Sequence, residues 1–192
     1  MKRAATYLLV GAPGSGKGTQ GVTLGKLPGF FHCACGDVFR ALDLRTPIGQ
    51  AFLEYSSKGC LVPDEITVQL WMTRLRALVD DHNFKPEVDR LLLDGIPRNV
   101  SQARLMDEVL DVQKVFHLCC PDRDKLFARM KKRALKDNRI DDANDDVIRR
   151  RLEIFDEESA ALLAHYSTKE VHRIDAGEPA HTVLYEILKT LV

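Results

Sequence analysis

The residues with the plainest chemical purpose form one run, Gly11-Ala-Pro-Gly-Ser-Gly-Lys17-Gly-Thr19. Gly11, Gly16 and Lys17 satisfy the spacing G-x-x-x-x-G-K, directly after an apolar strand-like stretch and before a helix-like one. Glycines let the backbone turn its N–H groups inward around phosphate oxygens, and the helix N-terminus adds partial positive charge at the same point. Lys17 brings a full charge to the β and γ phosphates. Gly18 stands between Lys17 and the hydroxyl residue Thr19. A turn without a ligand would account for the glycines alone, but the strand and helix on either side point to a cradle for ATP or GTP.

A second run, Leu91-Leu-Leu-Asp94-Gly-Ile-Pro-Arg98, ends an apolar strand with an acid and an arginine, at the edge where open α/β sheets bind ligands. Asp94 suits the waters of a Mg²⁺ ion, which prefers oxygen ligands and keeps much of its hydration. Arg98 can fork onto a phosphate. A GTPase would need a guanine-reading Asn-Lys-x-Asp run after a later strand, and the sequence has none.

These residues need a scaffold, and the pattern around them supplies one. Short apolar runs at Thr6–Val10, Phe30–Cys33, Leu91–Leu93, Val115–Cys120 and Val171–Ile174 read as strands. Helix-period stretches separate them: from Gly18, at Val38–Asp43, Ile48–Lys58, Glu65–Asp81 and Ser101–Leu110, from Asp122, and at Asp146–Tyr166 and Ala180–Leu191. Continuous apolar strands alternating with helices predict a parallel sheet covered on both faces in one α/β domain. The polar segment Lys132–Ala143 is the least core-like and reads as a loop. No internal repeat or linker separates a second domain.

The bulk properties set outer limits. The 192 residues contain 45% hydrophobic and 29% charged residues, which is ordinary for a globular chain with one full core. The 28 basic and 28 acidic residues cancel, so no net field favours nucleic acid or an acidic membrane, and anion binding has to come from local clusters. No apolar run approaches the length that spans a bilayer. The basic start Met1-Lys2-Arg3 runs through a short apolar stretch straight into the Gly-rich loop, which reads as a first strand and not a signal peptide. Five cysteines, an odd number without zinc spacing, read as reduced thiols in a cytoplasmic protein. No heptad seam or repeated apolar edge is present, so a monomer is expected.

Five runs in order resemble the adenylate kinase family from Thr6 to the C-terminus. Gly11–Thr19 is that family's form of the phosphate loop, including the Gly before Thr. Asp94-Gly-Ile-Pro-Arg98-Asn-Val-Ser-Gln102 is similar to its second signature. His32-Cys-Ala-Cys-Gly36-Asp37-Val-Phe-Arg40 and Gly59-Cys-Leu-Val62-Pro63-Asp-Glu65 resemble the borders of its monophosphate-binding insertion. Arg129-Met-Lys-Lys-Arg133 and Arg139-Ile-Asp-Asp142 resemble the flanks of its lid, and Arg151-Leu-Glu the helix beyond.

The resemblance implies an α/β P-loop kinase fold, with about five parallel strands between helical layers. It implies a core of residues 1–33, 64–132 and 143–192, an insertion at about 34–63 and a short lid at about 133–142. It also implies reversible transfer of the γ-phosphoryl group of Mg·ATP to AMP, giving two ADP. ATP would then be held by Gly14, Ser15, Gly16, Lys17, Gly18 and Thr19, with Arg129, Arg133 and Glu178. AMP would be held by Cys35, Arg40, Val62, Gly95, Arg98 and Gln102, with Arg139 and Arg151 between the two nucleotides. Lys17, Arg98, Arg133, Arg139 and Arg151 would stabilise the transferred group, and Asp94 would hold Mg²⁺ through water. Such an arginine set fits phosphoryl transfer, in which catalysis is positioning plus neutralisation of charge.

The lid carries no cysteine, and five residues separate Arg133 from Arg139, which resembles the family's short-lid branch and implies no zinc. Gln102 is the candidate base reader, because its amide offers a donor and an acceptor side by side. The related UMP/CMP kinases usually have Asn there, so Gln favours AMP. The chain departs from the family where Cys35 replaces a Thr beside the base, where Asn138 precedes Arg139, and in one extra residue before Arg151. Two other readings stand beside the first: a UMP/CMP-type kinase, and a P-loop ATPase or nucleotide-binding module for which the arginines would be surplus.

Overall fold

The computed structural model describes residues 3–137 and 144–191. Five parallel strands, β1 (Ala4–Gly11), β2 (Phe30–Ala34), β3 (Arg90–Asp94), β4 (Leu110–Cys119) and β5 (Glu170–Asp175), form one sheet in the order β2-β3-β1-β4-β5. β1 lies between β3 and β4, pairing Leu9 with Asp94 on one side and with Phe116 on the other. The order reverses at β1, so a crevice opens beyond the C-terminal ends of β1 and β3.

Strand side chains alternate between the two faces. On one face Leu8, Val10, Leu91, Leu93 and Val115 pack against Trp71 and Leu75 of α4 (Asp64–Asp80), Ala103 and Met106 of α5 (Val100–Met106), and Leu162 of α7 (Asp145–His165). On the other, Tyr7, Leu9, Leu92, Phe116 and Leu118 meet Leu24 of α1 (Lys17–Leu24), Leu126 and Met130 of α6 (Arg123–Asp137), and Val183 and Ile187 of α8 (Ala180–Lys189). Leu91, Leu92 and Leu93 are all fully buried, as a continuous apolar run on a strand covered on both faces must be. Each such side chain contributes about 1.5–3 kcal/mol by leaving water, so the end of β3 that carries Asp94 is firmly anchored.

Between β2 and α4 lie α2 (Cys35–Arg40) and α3 (Pro47–Ser57), joined by stacked Phe39 and Phe52 rings with centroids 5.2 Å apart. Gly59 follows α3 with φ +69°, and a Cβ there would stand 2.8 Å from Val147 O of α7. Residues 34–63 therefore reach across the crevice to touch α7.

Two segments differ from the sequence reading. The apolar period suggested a helix to Leu110, but α5 stops at Met106 and Leu110 opens β4, where it pairs with Ala4. β4 is longer than the apolar run Val115–Cys120 because the ladder to β1 continues through polar Asp111 and Lys114. A register shift between Thr6 and Tyr7 leaves Gln113 as an exposed bulge residue. The polar segment Lys132–Ala143 is not a loop from its start, since α6 continues to Asp137. Lys, Arg, Ala and Leu are strong helix formers, and 131–136 contains nothing else.

Candidate active site

The glycine run after β1 is bent as a phosphate cradle requires. Gly14 (φ +83°) and Gly16 (φ +92°) adopt left-handed backbone, and a Cβ on Gly14 would strike Leu126 O at 2.8 Å. Gly16 is the N-cap of α1 and offers no side-chain acceptor, so the first N–H groups of α1 face the crevice uncapped. Ser15 Oγ is buried with no hydrogen-bond partner among the described residues. Lys17 Nζ donates to Gly11 O at 2.7 Å and Ala12 O at 3.1 Å. Burial lowers its pKa to about 8, against the opposing pull of Asp94, and Arg133, Arg98 and Arg151 lower it further. Four cationic side chains from four stretches of sequence therefore converge on one volume.

β3 ends in Asp94, which is 8% exposed, with His32 Nε2 3.8 Å from its Oδ2. Gly95 follows at φ +77° and its carbonyl accepts from Arg98 Nε at 2.8 Å, which fixes the guanidinium at the strand end. Asn99 caps α5 by accepting from Gln102 N at 2.8 Å. The Gln102 side chain is almost wholly buried. Its Oε1 accepts from Arg98 N and its Nε2 donates to Asp64, both at 2.8 Å.

The remaining walls come from the helices. Arg40, at the end of α2, forms an ion pair with Asp37 and lies over Gly36, where a Cβ would come within 2.9 Å of its guanidinium. Cys35 is buried beneath the crevice, and that burial pushes its thiol up to about 12, so it is present as the neutral thiol. Arg129 NH1 donates to Ala176 O at 2.7 Å, which ties α6 to the turn after β5 that carries Glu178.

Apart from Ala12, Asp64, Asn99 and Leu126, these groups line one cavity of about 860 Å³, at the upper end of the range for small-molecule sites. It contains the glycine loop through Thr19, Cys35, Arg40, Val62, Asp94, Gly95, Arg98, Gln102, Arg129, Arg133, Arg151 and Glu178. Every described residue singled out from the sequence is thus brought to one place, while Arg139 lies outside the described residues. Arg133 sits within α6, and of the expected lid only 133–137 are described, as helix.

The structure adds residues that the sequence reading passed over. Lys132 and Lys136 also line the cavity, and their spacing of three and seven from Arg129 puts all three on one face of α6. In the sequence Asp64 stands only within a border motif. Among the described residues no group of three or more His, Cys, Asp or Glu could hold a metal ion. A lone buried carboxylate fits a cation that keeps its waters and takes further oxygens from phosphates, and does not fit a metal held mainly by protein.

A family described as adenylate kinase matches residues 9–171. The chain is similar to an adenylate kinase of Thermobifida fusca, 37% identical over 191 residues and 96% of both chains. It is 34% identical to adenylate kinase 1 of Synechocystis over 98% of both chains. It is also 32% identical to UMP-CMP kinase 3 of Oryza sativa subsp. japonica, over 97% of this chain and 85% of that one.

Proposed function

The chain belongs to the adenylate kinase family, and we propose that it transfers a phosphoryl group between ATP and AMP within the cavity at the strand ends. The observation that carries this reading is the joining, in one 860 Å³ volume, of a glycine cradle with uncapped helix N–H groups and a separate arginine site at the end of β3. Two polyanions have to lie end to end against their mutual repulsion, and such a volume has an anion site for each.

In this reading the loop Gly14–Thr19 and Lys17 hold the ATP phosphates, with Arg129 and Glu178 near its base. Arg40 and Arg98 clamp the AMP phosphate, while Cys35, Val62, Gly95 and Gln102 surround the acceptor. Arg133, Arg139 and Arg151 meet the group in flight. Asp94 orients the waters of a Mg²⁺ ion, whose chemistry is to neutralise charge on the phosphate oxygens. Phosphoryl transfer leaves little covalent work for the protein, so these side chains act by aligning the acceptor oxygen and by balancing charge on the equatorial oxygens. Residues 34–63 and about 133–142 act as the covers that exclude water, which limits wasteful ATP hydrolysis.

The five free thiols support a reducing, cytoplasmic setting. Among the described residues no helix is long and apolar enough to cross a membrane. A monomer fits a site complete within one chain.

One observation favours a second acceptor class. Cys35 offers the base a thiol, a weaker hydrogen-bonding group than a hydroxyl, and a UMP-CMP kinase is among the relatives. A coupled assay with Mg·ATP and AMP, CMP or UMP in turn separates the two. AMP is expected to have the highest kcat/KM. ATP hydrolysis at the same rate without any acceptor would instead identify an ATPase.

A further inference from the structure

We infer that Asp64, the first residue of α4, makes the acceptor site specific for adenine by locking the Gln102 amide in one of its two orientations. The inference rests on the reading of Gln102 as the residue that meets the acceptor base. The Asp64 carboxylate accepts from Gln102 Nε2 at 2.8 Å, and also from Asn99 Nδ2 at 3.1 and 3.2 Å. On its other side Gln102 Oε1 accepts from the Arg98 backbone N–H at 2.8 Å. A carboxylate only accepts and a backbone N–H only donates. Rotating the amide by half a turn would therefore set NH₂ against N–H and oxygen against a negative carboxylate, losing both bonds at a site that is 1% exposed.

The lock determines what the amide can still offer. One N–H on Nε2 and one lone pair on Oε1 remain for a ligand in the cavity that Gln102 lines. Adenine presents N1 as an acceptor beside the N6 amino donor, which matches. Hypoxanthine has almost the same outline but the opposite pattern, with N1–H a donor and O6 an acceptor. A glutamine free to turn would accept both bases. Held by Asp64 and Arg98 N, it meets hypoxanthine with donor against donor and acceptor against acceptor, the kind of mismatch that discriminates most strongly. Asp64 is thus a positioning residue that acts through Gln102.

Asp64→Asn tests the lock, since an asparagine can donate as well as accept and gives the turned amide a partner. The measurement is kcat/KM for AMP and for IMP with Mg·ATP, taken as a ratio so that the fraction of active enzyme cancels. The wild-type enzyme should prefer AMP strongly. The variant's ratio should fall by about tenfold or more, the order expected when one of two opposing contacts is relieved. Asp64→Glu, which keeps an acceptor-only head group, should hold the ratio near the wild-type value. An unchanged ratio in Asp64→Asn, an equal fall in Asp64→Glu, or a wild-type enzyme that uses AMP and IMP alike would each overturn the lock. A wild-type enzyme inactive on AMP would overturn the proposed function itself, a result distinct from those three.

Discussion

Lys17 offers the sharpest quantitative test, because its charge is required by the ligand and opposed by its surroundings. With a pKa of about 8 in the nucleotide-free chain, about nine-tenths of the molecules carry the ammonium at pH 7 and about one-tenth at pH 9. Phosphate oxygens bind the charged form, so the pKa rises on binding and ATP affinity should fall about tenfold from pH 7 to pH 9. The terminal phosphate of the nucleotide ionises largely below this window, and its extra charge would strengthen binding as pH rises. A fall is therefore the signature of the protein group. Titration calorimetry with ATP and no acceptor, in two buffers of different ionisation enthalpy, should show uptake of nearly one proton per ATP at pH 9. Lys17→Met should bind weakly with no such pH dependence. Stability has a matching sign. The folded pKa lies below the usual lysine value, so between about pH 8 and 10.5 the unfolded chain holds more protons and the nucleotide-free fold gains stability as pH rises. Constant affinity from pH 7 to 9, or the same slope in Lys17→Met, would refute the reasoning.

Arg133→Ala should lower kcat by about 10²-fold or more, as for a charge contact of ~3 kcal/mol made mainly in the transition state, with little change in KM for ATP; steady-state kinetics in both substrates separates the two, and a normal kcat with a raised KM would count against the assignment. Gln102→Leu should narrow the preference for AMP over CMP by about 1–3 kcal/mol, because polar adenine atoms lose their partner; a competition assay at subsaturating acceptor reads it. Activity should vanish in EDTA and return with Mg²⁺, while metal analysis of the purified protein should find no stoichiometric zinc; full activity in EDTA or one bound zinc would each contradict the reading.

The sheet and the phosphate cradle were legible because both are local. Leu91–Leu93 is apolar without a break since both of its faces are covered, and the glycines of the loop mark positions where φ is positive. The errors lie where a long-range pairing or an intrinsic propensity overrode composition. Leu110 fits the α5 period but is taken by the ladder to Ala4, and the charged Lys132–Asp137 stays helical because its residue types favour helix in spite of their polarity. Asp64 could not be found from one sequence. It lies 35 residues from Asn99 and 38 from Gln102, and only folding brings the three together.

The placement of charge ties these observations together. A chain with no net charge lines this cavity with eight Lys or Arg and only four Asp or Glu. The cations come from α1, α2, the loop after β3, α6 and α7, so no single stretch of sequence betrays the cluster, and the rest of the chain is left with a small excess of acidic over basic residues, which gives little attraction for nucleic acid or acidic membranes. The cluster repels itself, which is one reason Lys17 holds its proton weakly. Two nucleotides bring in about six negative charges at neutral pH, so binding relieves that repulsion and transfer proceeds where the charges of both partners are already balanced. The same excess explains why Asp94 matters beyond any cation it orients. Among the described residues it is the opposing charge that acts on Lys17, and Asp94→Asn should lower the lysine pKa further and shift the fall in ATP affinity to lower pH. An unshifted fall in that variant would show that burial alone governs Lys17.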